Sequence, residues 1–476
     1  MCAGLNKGGS HPAVLEVYPG PGADAYRSDL YTVEVHDGSE WKESYLYKVA
    51  RLAVCYGWHR GSCPSVNFTT FGVTGKVRVR LTKSAGPIGR VQISPHSKGI
   101  AADIQDGKAL FVLRPNDKAW VTVDDDDANP VFIFADAPKP EVPVDAEYFG
   151  PGVHTIGQLH AASSGRAIYL DGGAWVKGSI DIRGKSNVRI MGPGVLSGEL
   201  WSLEMLDGAP WGAYIMIRGE VDPSVCGNRL EGITIVNSPS YNTFYGLGQI
   251  YGVKLISPWV GSTDGFYLTP NPRETVFVDQ CFAFIGDDVF FPRDNFQGNM
   301  VFKNSFVSSS NNNIFCMSYW ANSLDHDFTV LARNIDIKVC PESAVFLCVI
   351  DGNSPGQGVK NHTYEDIRIE GDLNLNCRLV WIENRPYPWQ GQKNSCNGNA
   401  CNLHFRNITV QGRQNLEHRK SRIIGKDADN GPRDILFENL KINGVTVTDA
   451  NKDAYFEMND PVRDIRFRAT GLAGGE

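Results

Sequence analysis

The sequence predicts an all-β chain, an N-terminal β-sandwich over residues 1–140 followed by a right-handed parallel β-helix over 141–476. Three observations lead there. Fifty glycines, 26 prolines and 11% aromatic residues leave few places for long uninterrupted helices. Short β-branched runs alternate with loops rich in Asn, Asp, Ser and Gly. Beyond residue 152 one strand pattern recurs down the rest of the chain.

In the first region, Leu30–His36, Lys76–Leu81, Arg90–Ile93, Ala109–Leu113 and Val131–Phe134 alternate in the manner of half-buried strands, which suggests an antiparallel sandwich. The acidic run Asp124–Asp127 reads as a solvated turn rather than a calcium loop. DAPKPEVPVDAEYFGPG, residues 136–152, carries four prolines and marks the boundary.

After it, NVRIMGPGVLSG, LEGITIVNSPS, ETVFVDQCFAF, NMVFKNSFVSS, YEDIRIEGD and DILFENLKING share one form: a polar approach, an apolar–x–apolar strand, then Gly, Asn or Ser. Ile235, Leu255, Val276 and Val301 fall 20 to 25 residues apart, and later intervals lengthen. Such units cannot bury an apolar face alone and must stack. The hairpin turns of a propeller are scarce and the leucine-rich consensus is absent, which leaves the β-helix.

A net charge of −7 gives no basic field for nucleic acid. The longest apolar run, around Val345 to Ile350, is far below the roughly 20 residues that span a bilayer, so no membrane partner is expected. Eleven cysteines show no CxxC spacing and no neighbouring histidine cluster, so no metal site is expected from them. Cys55/Cys63 and Cys396/Cys401 are close enough to form disulfides, which would suit a secreted protein, although the start MCAGLNKGGSHP lacks the apolar segment of a signal peptide. The alternative is that most are buried apolar residues. Sequons occur at Asn67, Asn361 and Asn407.

The chemistry lies in GSTDGFYLTPNPRETVFVDQCFAFIGDDVFF, residues 261–291. Asp264 precedes Asp287 and Asp288 by 23 and 24 residues, close to the 23 between Val253 and Val276. Adjacent turns of a β-helix lie about 4.8 Å apart, so the three carboxylates are expected on one face of neighbouring turns. Crowded carboxylates cannot all ionise, and at least one should stay protonated near neutrality. Glycoside hydrolysis needs such a set: one carboxyl donates to the leaving oxygen while others activate water.

TDG, then GDDV a turn later, then a Trp-containing strand resembles the β-helical glycoside hydrolase clan of families 28 and 49. YLDGGAWVKGSIDIRGKSNVRIMGPGVLSG, residues 169–198, is similar to the first turns of the β-helix in that clan, and the resemblance covers about residues 145–345. It implies that Asp287 is the general acid and that Asp264 and Asp288 activate water, with no metal or organic cofactor. Family 28 polygalacturonases carry Gly-His-Gly and, further on, Arg-x-Lys. Here SSSNNNIFCMSYW, residues 308–320, has no histidine, and NIDIKVC, residues 334–340, has no Arg-x-Lys. Without that clamp a uronate polymer loses charge-assisted recognition. Ser318–Trp320 is similar to the Gly-Trp of family 49, which favours a neutral α-glucan such as dextran or a pullulan-like chain. Family 49 members usually place a lysine shortly after the aspartate pair, whereas this chain reaches Arg293.

Trp259, Tyr267 and Trp320 are candidate sugar platforms, since aromatic faces match the apolar faces of pyranose rings. Tyr241, Tyr245, Trp381, Tyr387 and Trp389 are weaker ones, with core packing the common alternative. Arg293 and Asp325 are candidate substrate contacts. Asn311–Asn313 reads as a side-chain ladder. The competing functions are a polygalacturonase-like hydrolase of an acidic polysaccharide, a calcium-dependent pectate-lyase-like β-eliminase with Arg293 as base, and a non-catalytic polysaccharide-binding β-helix.

Overall fold

The computed structural model describes residues 14–50, 65–201, 205, 214–259, 261–269, 274–292, 298–319, 322–338, 343–371, 373, 377–386, 395–412 and 419–470. Two compact units appear, one ending at Glu141 and one beginning at Val142.

Among the described residues, the first unit is a sandwich of a six-stranded and a five-stranded sheet. Its core interleaves Val33, Val35, Val79, Leu81, Phe111 and Leu113 of one sheet with Phe71, Val73, Val121 and Ile133 of the other. The five expected alternating stretches are strands at Tyr31–His36, Val77–Lys83, Val91–Ser94, Lys108–Leu113 and Val131–Asp136. Ser65–Val73 and Asp117–Val123 were not legible as strands because every residue in them is buried, which erases the alternation. The sandwich is not wholly antiparallel either: Val131–Asp136 runs parallel to Ser65–Val73. Each aspartate of Asp124–Asp127 is held by protein donors, Asp124 by Lys83 and the Gly89 and Arg90 amides, Asp125 by Arg90, Asp126 by Asn129 and Asp127 by Thr122.

The second unit is the right-handed parallel β-helix, with three sheets wound about one core. The first sheet runs from Glu147–Phe149 to Arg463–Arg468, the second from Gly152–His160 to Lys441–Ile442, and the third from the end of Ala174–Asp181 to Phe456–Met458. Inside, Phe266, Phe290, Phe315 and Phe346 stack at 5.5, 5.2 and 5.1 Å between centroids. Offset aromatic pairs like these each contribute about 0.5–1.5 kcal/mol beyond their burial.

One left-handed residue per turn bends the chain from the first sheet into the second. Gly192, Gly232, Gly252, Gln280, Asn304, Asn334, Asp366, Asn407 and Asn439 all have positive φ there. Glycine and asparagine tolerate that conformation best. The asparagines also bond along the axis, Asn334 to Asn304 at 2.8 Å and Asn439 to Asn407 at 3.0 Å. The polar residues that punctuate the sequence repeats are therefore structural.

Several expectations need correction. Val253 and Val276 are not equivalent positions: Lys254 pairs with Phe282, and Ile250 with Val278, both 28 residues on. The interval that stacks the carboxylates is the 24 between Phe266 and Phe290. Cys396 and Cys401 are free thiols, as are Cys226, Cys281, Cys316, Cys348 and Cys377. Cys396 is fixed in a left-handed turn on Asp351, while Cys401 lies inside the strand Asn399–Arg406. The argument for an oxidising compartment thus loses that pair; Cys55 and Cys63 lie outside the described residues. Asn67 is fully buried and its side chain accepts from Ser28, so that sequon cannot carry a glycan in the folded chain.

Candidate active site

The TDG and GDD segments occupy the bend from the second sheet into the third. Asp264 stands two residues before the strand Phe266–Leu268, and Asp288 two before Phe290–Pro292, which pair in register. Gly265 permits the contact between turns, for a Cβ there would lie 2.7 Å from the Val289 carbonyl. The Gly265 amide donates to the Asp288 carbonyl at 2.9 Å, and the Gly286 amide to Thr263 Oγ1 at 3.0 Å. Asn242 bonds the Asp264 carbonyl from the turn before, and Asn313 holds Asp288 from the turn after.

This stacking brings one oxygen each of Asp264, Asp287 and Asp288 within 4.8 Å of one another. Asp264 and Asp288 are 5% and 1% exposed, while Asp287 is only partly buried. Asp287 accepts from the Ser262 amide at 2.6 Å, the Asp288 amide at 3.0 Å and Asn312 Nδ2. Asp288 accepts from the Asn313 amide at 3.1 Å and Asn313 Nδ2 at 2.7 Å, and also hydrogen-bonds Tyr319 and Cys316.

Burial pushes the Asp287 carboxyl above its ordinary range. Burial first, and the Asp287 charge second, push Asp288 up to about 7. The second contribution vanishes when Asp287 itself carries a proton. The two carboxyls therefore titrate as a pair, and each midpoint belongs to both residues. Both carboxyls are ringed by hydrogen-bond donors, an environment that solvates a carboxylate; Asp287 is the more exposed of the two. The same three oxygens are also close enough to share a divalent cation.

The other candidates fall variously. Tyr267 is 1% exposed, packed against Phe244 at 5.1 Å and Phe291 at 4.8 Å, so its ring belongs to an apolar column on the outer face of the third sheet rather than to a sugar platform. Trp259 is 6% exposed and likewise offers little face. Asp325 is exposed in the loop after Asn322–Ser323, where its amide bonds Ser323. Arg293, Trp320, Tyr387 and Trp389 lie outside the described residues.

Sequence reasoning missed four contributors. Asn312 and Asn313 hold the aspartates instead of forming a simple ladder, and the clue was Asn313's offset of 25 from Asp288, which equals the Phe290-to-Phe315 register. Tyr319 joins them, its hydroxyl 3.3 Å from Asn312 Nδ2 and 2.9 Å from Asn313 Nδ2. Arg385 lies 4.2 Å over the Trp381 ring, in electrostatic reach of Tyr319, and its Nε is buried without a hydrogen-bond partner. No signal in the sequence marked it.

No family model matches the chain, and no curated protein matches it. Among solved structures, the Family 28 exopolygalacturonase of Yersinia enterocolitica is 14% identical, covering 83% of this chain and 97% of its own at a TM-score of 0.47. The polygalacturonase of Erwinia carotovora ssp. carotovora is 12% identical, covering 67% and 87% at 0.42. Dex49A from Penicillium minioluteum is 17% identical and covers 94% of this chain and 96% of its own at a TM-score of 0.68. That last likeness is one of fold: the chain has the fold of Dex49A.

Proposed function

We propose that this chain is an inverting glycoside hydrolase acting on a neutral α-glucan, dextran or a pullulan-like chain. The observation that carries the reading is the convergence of Asp264, Asp287 and Asp288, one partly exposed and two buried, within 4.8 Å. Asp287, accessible and raised, serves as the general acid. Asp264 and Asp288 hold and activate the attacking water. The resemblance of TDG and GDD to families 28 and 49, and the likeness of fold to Dex49A, support the same reaction class. Close spacing alone would suit a retaining pair, at about 5–5.5 Å, better than an inverting one, at about 6.5–9.5 Å. The inverting reading rests on the count, since two carboxyls suffice for retention and a third fits a shared base.

The neutral substrate follows from the missing Gly-His-Gly and Arg-x-Lys. Arg385 supports the second reading, an acidic polysaccharide, because the fold brings a guanidinium near Tyr319 that no motif announced. A panel of dextran, pullulan, other α-glucans and polygalacturonate, scored by product chromatography, separates the two. Products from the neutral glucans alone support the first; rapid breakdown of polygalacturonate alone overturns it. No products from any of them leave the polysaccharide-binding β-helix.

A further inference from the structure

Tyr319 has a place in the site that its sequence position does not suggest. It follows the third-sheet strand Phe315–Ser318, one turn beyond Asp288. Its ring is held edge-on against Phe291, 5.5 Å between centroids, and packs against the apolar column that contains Tyr267. Its hydroxyl faces the two asparagines that serve the aspartate pair. Asn312 Nδ2 bonds both Asp287 Oδ1 and Tyr319 Oη, and Asn313 Nδ2 bonds both Asp288 Oδ1 and Tyr319 Oη. Asn313 is itself fixed, for its Oδ1 accepts the Ala344 amide at 3.0 Å; its Nδ2 also lies 2.9 Å from Asn312 Oδ1, so its two hydrogens are shared among three acceptors.

A phenol has two acceptor sites and one proton. With both acceptor sites turned to the Asn312 and Asn313 amides, the proton points at Asp288, to which Tyr319 is hydrogen-bonded. The Asn313 amide, the Asn313 side chain and this hydroxyl all present hydrogens to Asp288, as the Ser262 and Asp288 amides and Asn312 do to Asp287, and the phenol is the donor that only Asp288 receives.

We propose that Tyr319 is a positioning residue, whose hydroxyl fixes the orientation of both asparagines and donates to Asp288, favouring the ionised form of this water-holding carboxylate. The inference rests on the hydrolase reading for its catalytic meaning, and on the hydrogen-bond geometry for the stabilisation of the Asp288 carboxylate. A hydrogen bond to the charged form favours that form, so removing the hydroxyl raises the Asp288 midpoint.

The test is Tyr319→Phe in the full chain, which keeps the ring against Phe291. Two readouts are taken. The pH profile of kcat/KM, on whichever polysaccharide the panel identifies, should show its acid limb moved up by about one unit, with a fall of roughly tenfold at pH 6. Carbon-13 NMR of protein labelled at the aspartate carboxyls, with the Asp288 signal assigned by its loss in Asp288→Asn, should show the same upward movement without any substrate. Replacement of Tyr319 by 3-fluorotyrosine, a stronger donor, should move both readouts down and covers the case in which the Phe variant does not fold. A uniform loss of rate with an unmoved profile, an Asp288 signal that does not shift, or shifts of the same sign in both variants overturns the proposal. If no polysaccharide is hydrolysed the function reading fails, and the NMR titration still decides the role of Tyr319.

Discussion

Asp287→Asn separates catalysis from stability at this site. The substitution removes an acid group and keeps its shape. If Asp287 protonates the leaving oxygen, its loss lowers kcat by about 10²–10⁴, or about 3–5 kcal/mol of barrier. Stability moves the other way. Asp288 is raised from 3.8 to about 7, partly by the neighbouring Asp287 charge. A carboxyl whose folded pKa lies above its unfolded value stabilises the fold fully below the unfolded pKa, and that stabilisation is lost as pH rises through the folded pKa. The window here runs from about pH 4 to pH 7, and three units amount to on the order of 4 kcal/mol for the whole shift. Asn at 287 deletes the charge repulsion and keeps one acceptor oxygen, while the three donors now on Asp287 lose its charge and one of them loses its acceptor, at a cost of about 1 kcal/mol. The variant should therefore melt at or above the wild-type temperature at pH 8, by up to a few degrees, with the advantage shrinking toward pH 4. Thermal melts at pH 4, 6 and 8 beside initial rates check both halves. Near-normal activity in a normally folded variant removes Asp287 from the mechanism, and a melting difference that does not grow with pH refutes the like-charge argument.

The first product released from an α-glucan should be the β-anomer, read by early proton NMR; the α-anomer would recast one aspartate as a nucleophile. Activity should survive dialysis against a chelator, and loss of activity with unsaturated products would instead favour a calcium-dependent eliminase using the cluster of carboxylates. Asn334→Val places a β-branched residue at φ 55° and should lower the urea midpoint by the equivalent of about 1–2 kcal/mol, whereas Asn334→Gly should cost less. Peptide mapping of the folded protein after expression in a glycosylating host should find Asn67 unmodified, because a glycan on this fully buried side chain would keep the sandwich from closing.

The sequence by itself determined what is local and repeated. Alternating apolar positions mark Tyr31–His36 and Val77–Lys83, because a strand shows one face to the core and one to water. Gly and Asn recur because each turn of the β-helix needs a left-handed residue at the same bend. The three aspartates were legible because the 24-residue register from Phe266 to Phe290 is set by two short turns with no long insertion. Tertiary structure decided the rest. The interval between stacked residues ranges from 20 at Ile235 and Leu255 to 41 at Glu365 and Arg406, so positions several turns apart cannot be aligned by counting. Tyr319, singled out in the sequence only as the middle of Ser318–Trp320, meets the asparagines that hold the aspartates, and Arg385, which no motif marks, comes near Tyr319 across such unequal turns. Tyr267 has the opposite history: close to Asp264 in sequence, it is buried because Phe244 and Phe291 of the turns before and after cover its ring. The protonation of the pair is likewise a tertiary property, since it depends on burial and on donors delivered by the following turn, and neither is written in the order of residues around GDD.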